Sequence, residues 1–208
     1  PEAMAGLVLD RSAPGVAEVR LNRPEKLNAL DEATYAALTD VFHRLHEDQS
    51  VRAVILSGSG RAFCSGSDVG AMLQATGPAA RARLHRRHAA VQAVYRIEKP
   101  VIAAVHGAVA GIGMSFALAS DLIIAAEGTY FKQAFTNVGL VPDGGAIFFL
   151  TQRLGLGRAK DLVMSARRLE AAEALEWGVV NRVVPEAALK GEALAMAAGL
   201  AEAPTYVL

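Results

Sequence analysis

The chain lacks a charge surplus and a second cysteine, and each absence excludes a class of protein. Its 208 residues carry 21 Lys and Arg against 21 Asp and Glu, so the formal net charge is zero. A dedicated nucleic-acid-binding protein usually has a basic excess, so we do not expect a nucleic-acid partner. The single cysteine, Cys64, excludes an internal disulfide and any multi-cysteine metal site. A chain so poor in cysteine is typical of a reduced, cytoplasmic protein.

The chain also lacks an uninterrupted apolar run long enough to cross a membrane. Its most apolar stretch, Val101 to Ala126, contains His106 and Asp121 and is broken by glycines. Neither an aromatic belt nor a basic flank marks its ends. The pattern predicts a buried strand, a glycine turn, a buried helix and another strand rather than a membrane span.

The composition is that of a folded domain. Hydrophobic residues make up 52% and charged residues 20%, which excludes a disordered chain. The length predicts a single domain over residues 1–208, and no secretory signal pattern is visible. We interpret Pro1 to Ala3 as a tag remnant before a start at Met4.

Alternating strand and helix patterns predict an α/β fold. The predicted strands cover residues 7–9, 16–21, 51–56, 101–105, 121–126 and 179–184. The predicted helices cover residues 31–46, 68–73, 77–97, 113–119, 155–164 and 170–177, one that Gly144 and Gly145 open, and a last one that begins at Pro185.

Three glycine-rich turns follow predicted strands and carry the candidate chemistry. They cover residues 62–68, 105–115 and 139–145. Turns that open helices expose backbone N–H groups, and two such groups that converge on one oxygen form an oxyanion hole. Gly111 and Gly113 also fit half of a dinucleotide-binding fingerprint, but Phe116 stands where its third glycine would be. The sequence therefore predicts neither a nicotinamide nor a flavin cofactor.

Five segments resemble the crotonase superfamily, the family of enoyl-CoA hydratases and isomerases. They are Leu21-Asn22-Arg23-Pro24 with Asn28-Ala29-Leu30, Ala62 to Asp68, Lys99 to Gly107, Gly139 to Gly145, and Glu176 to Val184. They occur in the family's order and span nearly the whole chain. The resemblance implies a spiral of strand–strand–helix units, assembled as a trimer or a dimer of trimers. It also implies a C-terminal helical lid, most of which this chain lacks.

The resemblance assigns roles to specific positions. The N–H groups of Ser67 and Ile112 would bind the thioester oxygen of an acyl-CoA, whose coenzyme A belongs to the substrate. The positions implied to contact substrate or coenzyme A are Arg23, Lys26, Leu27, Ser65, Gly66, Asp68, Val69, Gly111 and Phe135. A solvated surface charge is the alternative for Arg23 and Lys26.

Two departures from the family pattern concern catalysis. Family hydratases activate water between two glutamates, and the corresponding positions here are Ser115 and Phe135. Neither side chain is a carboxylate. One acid remains in the third turn, Asp143, where isomerase members that resemble the phenylacetate-pathway ring-opening isomerase carry a proton-shuttling acid. The alternative for Asp143 is a helix N-cap. We therefore expect a double-bond isomerase, with an atypical hydratase or a decayed acyl-CoA-binding protein as alternatives.

The remaining candidates have plainer interpretations. His43 with His46, and His85 with His88, have metal-binding spacing but lie on charged helix faces, so we predict no metal site. Ser115 with His106 could form a nucleophile and base, but no acid is positioned to orient the histidine. Cys64 is expected to be a small buried residue. The basic residues of the predicted helix over 77–97 are expected to face solvent or another subunit; they are Arg81, Arg83, Arg86 and Arg87.

Overall fold

The computed structural model describes residues 1–68, 70 and 77–204. The predicted helix from Asp68 through Leu73, and the candidate Val69, lie outside these residues except for Asp68 itself and Gly70. Ten strands and six α-helices are described, in the α/β arrangement that the sequence predicts. The strands are β1 Glu2–Met4, β2 Leu7–Ala13, β3 Val16–Leu21, β4 Ala53–Gly58, β5 Val101–Val105, β6 Ala108–Ala110, β7 Leu122–Ala126, β8 Tyr130–Lys132, β9 Arg168–Glu170 and β10 Arg182–Val184. The helices are α1 Glu32–Glu47, α2 Gly77–Arg96, α3 Ile112–Ala119, α4 Ala146–Ser165, α5 Ala171–Glu176 and α6 Leu189–Glu202.

The strands form two sheets. The larger sheet has the order β1-β2-β3-β4-β5-β7-β10, antiparallel from β1 to β3 and parallel from β3 to β10. The smaller sheet has the order β6-β8-β9, with β6 parallel to β8 and β8 antiparallel to β9. Because β5 belongs to the large sheet and β6 to the small one, the turn at His106 and Gly107 carries the chain between the two sheets.

Strand β5 is buried on both faces, as its continuous apolar sequence predicts. Val101, Ala103 and Val105 pack into the main core, to which α1 and α3 also contribute. The alternate residues Ile102 and Ala104 pack into a second core that α6 covers. The period-2 alternation of a strand therefore fills two cores from one segment.

Helix α1 forms where its sequence pattern predicts it. The Asp31 carboxylate accepts a 2.9 Å hydrogen bond from the Thr34 N–H and so caps the first turn. The buried face carries the apolar residues at helical spacing, namely Tyr35, Leu38, Val41, Phe42 and Leu45. This face sets Tyr35 toward the loops of the candidate site.

The segment from Val101 to Ala126 folds as β5, β6, α3 and β7, which confirms its interpretation as buried strands and a buried helix. In the part of the chain that is described, no helix is long and apolar enough to span a bilayer.

Several predicted boundaries differ from the structure. The strand predicted over residues 179–184 begins only at Arg182, since buried Val179 and Val180 turn out of helix α5 instead. Local pattern does not predict strands β1, β6, β8 and β9, because each has only three residues and exists through pairing with another segment. By contrast, a break at Gly155, whose φ is 72°, divides α4 into the two helices that the sequence predicts.

Candidate active site

Two glycine turns touch each other at the centre of the candidate site. A Cβ atom added to Gly66 would lie 3.3 Å from the Ala110 carbonyl oxygen and 3.9 Å from the Gly111 Cα. Gly66 and Gly111 both have positive φ angles, 112° and 53°, which glycine adopts at little cost. Ser67 and Ile112 follow these two glycines directly, so the contact brings their backbones together.

The backbone N–H groups of Ser67 and Ile112 have no hydrogen-bond partner among the described residues. Ser67 and Leu30 form a parallel β-bridge, but the two hydrogen bonds of the bridge use the residues on either side of Ser67. The Leu30 N–H donates to the Gly66 carbonyl oxygen, and the Asp68 N–H donates to the Leu30 carbonyl oxygen. The N–H of Ser67 therefore points away from Leu30. Ile112 is the first residue of α3, where N–H groups have no partner within the helix. The backbone bonds of the described residues give neither N–H a partner.

The loop that carries Asp143 is fixed to the first turn of α3. The Ser115 hydroxyl, fully buried, donates a 3.3 Å hydrogen bond to the Asp143 carbonyl oxygen. A Cβ on Gly144 would lie 2.8 Å from the Ile112 side chain and 3.2 Å from Ser115 Cβ, so this close approach requires glycine. Asp143 is thereby held beside the residue that presents one of the two N–H groups.

Asp143 does not cap a helix, so that alternative is wrong. The N-cap of α4 is Gly145, and no side chain accepts a hydrogen bond there. The Asp143 side chain is 17% exposed, and its Oδ1 is buried without a hydrogen-bond partner among the described residues. Burial raises the pKa of this carboxyl above its ordinary value, while Arg87 and His88 act in the opposite direction.

Arg87 is buried within the chain, which corrects the expectation that it faces solvent or another subunit. Its side chain is 9% exposed, and Nη1 lies 3.8 Å from Asp143 Oδ2. The guanidinium also lies over the Tyr35 ring, 5.7 Å from its centroid. By contrast, Arg83 and Arg86 of the same helix form ion pairs with the Glu32 carboxylate. A signal is present in the sequence, because Arg87 shares one helical stripe with Ala90, Val91 and Val94.

Tyr35 links Ser67 to Arg87, a role that the apolar pattern of helix α1 does not reveal. Its hydroxyl and the Ser67 hydroxyl are 2.7 Å apart and share a hydrogen bond. Burial raises the pKa of the Tyr35 hydroxyl, so it stays protonated. A hydrogen bond joins Ser67 to Tyr35, a cation–ring contact joins Tyr35 to Arg87, and an ion pair joins Arg87 to Asp143. We call these four residues the polar wall.

The loop from Arg23 to Asn28, which contains the first positions implied to contact coenzyme A, is held by ion pairs and hydrogen bonds of its own residues. Arg23 pairs with Asp31 at 3.2 Å and with Asp68 at 3.5 Å, so it is not a solvated charge. Lys26 is exposed, which fits both a solvated surface charge and a coenzyme A contact. Leu27 has a positive φ of 51° and accepts a 3.0 Å hydrogen bond from the Ser65 N–H.

Asn28 anchors this loop, although the sequence marks it only as part of a family segment. It is 1% exposed, accepts a bond from Arg23 N at 2.8 Å and donates to the carbonyl oxygens of Ser59 and Ala62. Its φ is 54°, a left-handed conformation that asparagine tolerates better than most residues.

Other candidates lie apart from the polar wall or pack as expected. His106 bonds Gly60 O at 2.8 Å while Ser115 bonds Asp143, so these two side chains are not paired as nucleophile and base. Cys64 is fully buried, as predicted, and burial raises the pKa of its thiol to about 12. Phe135 is buried with its ring 3.9 Å from the Cβ position of Gly111. Within the described ranges, no group of three or more His, Cys, Asp or Glu could hold a metal ion.

The sequence and the fold match one family. Residues 11–208 match the family described as enoyl-CoA hydratase/isomerase. The chain is 41% identical to a protein named probable enoyl-CoA hydratase from Rhodobacter capsulatus, over 92% of this chain and 74% of that protein. It is 35% identical to a 1,2-epoxyphenylacetyl-CoA isomerase from Escherichia coli, over 99% of this chain and 80% of that protein.

A solved structure supports membership of the same family. The crystal structure of an enoyl-CoA hydratase from Bacillus anthracis superposes with a TM-score of 0.93 at 32% identity and covers 97% of this chain and 78% of that one. The chain therefore belongs to the enoyl-CoA hydratase/isomerase family, within the crotonase superfamily that the sequence resembles.

Proposed function

We propose that the protein moves a carbon–carbon double bond within an unsaturated acyl-CoA, with Asp143 as the acid and base. The observation that carries the proposal is the buried Asp143 Oδ1, which has no partner among the described residues and belongs to a loop packed on Ile112. A carboxylate oxygen left free beside candidate oxyanion donors is suited to accepting a proton from carbon. The proposed reaction needs no cofactor, because coenzyme A is part of the substrate.

The first proposed step is binding of the thioester oxygen by the N–H groups of Ser67 and Ile112. Removing a proton from the carbon next to the thioester moves negative charge onto that oxygen, as an enolate. Fixed N–H donors bind the enolate more strongly than the neutral carbonyl, and one such donor is typically worth about 3 kcal/mol. This difference lowers the barrier to removing a carbon-bound proton.

The second proposed step is proton transfer through Asp143. The carboxylate takes a proton from one carbon and returns it to another carbon of the same conjugated system, so the double bond moves and Asp143 is regenerated. Because burial raises the pKa of Asp143, the carboxylate is a stronger base than an exposed aspartate. One acid is sufficient, since the same group accepts and donates the proton.

Hydration is the second candidate function, and the name of the Rhodobacter relative favours it. The side chains at the two hydratase positions oppose it. Ser115 is fully buried and bonded to the Asp143 carbonyl oxygen, and Phe135 is apolar and buried. A decayed acyl-CoA-binding protein is the third candidate. The Asp143 carboxylate opposes it, because its Oδ1 has no hydrogen-bond partner in the described part of the chain.

Coenzyme A is proposed to bind along the loops that precede Ser67. Lys26 is exposed and suited to meet a phosphate, whereas Arg23 is already paired with two carboxylates and is better suited to ordering the loop. Leu27, Ser65, Gly66, Asp68 and Val69 remain proposed contacts, as do Gly111 and Phe135 at the reactive end.

The first prediction concerns substrate preference. Isomerisation of a 3-enoyl-CoA should be at least ~100-fold faster than hydration of crotonyl-CoA, because Ser115 and Phe135 cannot activate water. Turnover of both substrates by one enzyme preparation measures the ratio. Fast hydration would contradict the proposal, and coenzyme A binding without turnover of either substrate would favour the binding protein.

The second prediction concerns Asp143→Asn. The change keeps the side-chain volume but removes the base, so isomerisation should fall at least ~100-fold. Acyl-CoA affinity should stay within a few-fold, because the proposed thioester donors are backbone N–H groups. The melting temperature should fall, because the change leaves the buried Arg87 guanidinium without its carboxylate partner. Asp40→Asn, at an exposed carboxyl of α1, is the control that should leave all three quantities unchanged.

The third prediction concerns assembly, for which we propose a homo-oligomer with threefold symmetry, a dimer of trimers preferred. The part of the chain after β8 exposes large apolar side chains, which single chains rarely leave uncovered. They are Val138, Leu140, Val141, Ile147, Phe148, Leu156, Met164 and Leu175. Light scattering at micromolar concentration should give the mass of a trimer or hexamer, and a monomer would contradict the proposal.

A further inference from the structure

Among the described residues of helix α2, Arg87 is the one charged side chain on the buried face. Burying a guanidinium removes it from water and is costly unless the charge is compensated. Its neighbours on the helix, Arg83 and Arg86, reach the Glu32 carboxylate nearer the surface. Arg87 instead points inward, so its compensation has to come from the site.

The compensation comes from two groups of the polar wall. One is the Asp143 carboxylate, whose Oδ2 lies 3.8 Å from Arg87 Nη1. The other is the face of the Tyr35 ring, whose centroid lies 5.7 Å from the guanidinium carbon, a distance at which an aromatic ring attracts a cation. Tyr35 is in turn bonded to the Ser67 hydroxyl, so the guanidinium lies between the carboxylate and the residue that carries a proposed oxyanion donor.

The contact with Asp143 is unusual for a buried arginine and carboxylate. Such pairs normally form short, paired hydrogen bonds that occupy both carboxylate oxygens. Here the shortest contact exceeds hydrogen-bond length, and both Arg87 Nε and Asp143 Oδ1 are buried without a partner among the described residues. The charges attract each other while the second carboxylate oxygen keeps no hydrogen-bond partner among the described residues.

We propose that Arg87 is a positioning residue that keeps Asp143 ionised and aimed at the substrate without occupying the oxygen that takes the proton. This inference rests on the proposed function of Asp143 as the base. A tight bidentate pair would hold both oxygens and weaken the base, whereas burial with no cation nearby would raise the pKa of the carboxyl further and disfavour its ionised form. The observed spacing avoids both outcomes.

The other groups around Asp143 are few in the described part of the chain. His88, the next residue of α2, acts on the Asp143 pKa in the same direction as Arg87 but less strongly. Tyr35 of α1 is neutral, because burial raises its pKa. From α3, Ser115 contacts the backbone oxygen of Asp143 rather than its carboxylate. Arg87 is therefore the main group that opposes the effect of burial.

The test compares the pH dependence of isomerisation in Arg87→Gln, Arg87→Lys and the wild type. Activity requires ionised Asp143, so kcat/KM falls as the pH drops through the Asp143 pKa. A cation at this distance lowers a carboxyl pKa by about 1 or more, so Arg87→Gln should move the acid limb to higher pH by that amount. At a fixed pH on this limb, the rate should then be about tenfold lower than in the wild type. Arg87→Lys should restore most of the wild-type profile.

Arg86→Gln is the matched control, since it removes an arginine from the same helix that binds Glu32 rather than Asp143. Its acid limb should coincide with that of the wild type. An unchanged limb in Arg87→Gln, or an equal displacement in Arg86→Gln, would overturn the assignment. If Arg87→Gln does not fold, Arg87→Lys alone provides the test. Lysine keeps a positive charge at an altered position, so the acid limb of Arg87→Lys should move to higher pH by less than the shift expected for Arg87→Gln.

A second readout separates this inference from the proposed function. Carbon-13 NMR of the aspartate carboxyl groups gives the Asp143 pKa directly, with the signal assigned by its loss in Asp143→Asn. A higher pKa in Arg87→Gln supports the role of Arg87 even if the wild type does not isomerise 3-enoyl-CoA, a result that would reject the proposed function alone. An identical pKa in both proteins rejects the role of Arg87 whatever the rates.

Discussion

The close contact between two glycine turns is the constraint on which the rest of the site depends. Gly66 lies against the Ala110 carbonyl and the Gly111 backbone, at distances that leave little room for a side chain. The bridge between Cys64 and Val109 holds the two turns in register, and the bridge between Leu30 and Ser67 joins the first of these turns to the segment before α1. Gly113 allows a similar approach, since a Cβ there would lie 2.7 Å from Cys64. These contacts between backbone segments orient the N–H groups of Ser67 and Ile112.

The same helix that presents one N–H group also fixes the acid. Helix α3 begins at Ile112 and turns Ser115 toward the Asp143 loop, so both groups depend on one short element. The Asp143 carboxyl is buried, which disfavours its charge, and Arg87 opposes that effect from α2. Buried polar atoms without a hydrogen-bond partner cost stability and are rare in native proteins, and Arg87 Nε and Asp143 Oδ1 have none among the described residues.

Local patterns are sufficient for the elements that bury continuous or periodic apolar residues. Strand β5 and helix α1 are predictable because their own sequences specify two buried faces and one buried stripe. The three-residue strands of the small sheet are not, because β6, β8 and β9 are defined by pairing between segments separated in sequence. The family resemblance is needed to align the glycine turns with roles in binding.

In the candidate site too, local sequence predicts some features, and tertiary contacts decide others. Asp143 precedes two glycines and a helix, which locally resembles a cap, and only the fold reveals that Gly145 occupies that position. Arg87 lies in a basic run that resembles a solvated face, although its apolar partners three, four and seven residues on share its stripe. Local composition suggests exposure for such charged residues, while the tertiary contacts decide burial.

The most direct test of the central claim is a crystal structure with a bound, unreactive acyl-CoA analogue. The thioester oxygen should lie about 3 Å from the backbone nitrogens of both Ser67 and Ile112, the hydrogen-bonding distance for N–H donors. Asp143 Oδ1 should face the carbons that exchange the proton, with Arg87 still beside Oδ2. A thioester oxygen bound away from these two nitrogens, or an Asp143 carboxyl turned away from the acyl chain, would contradict the account.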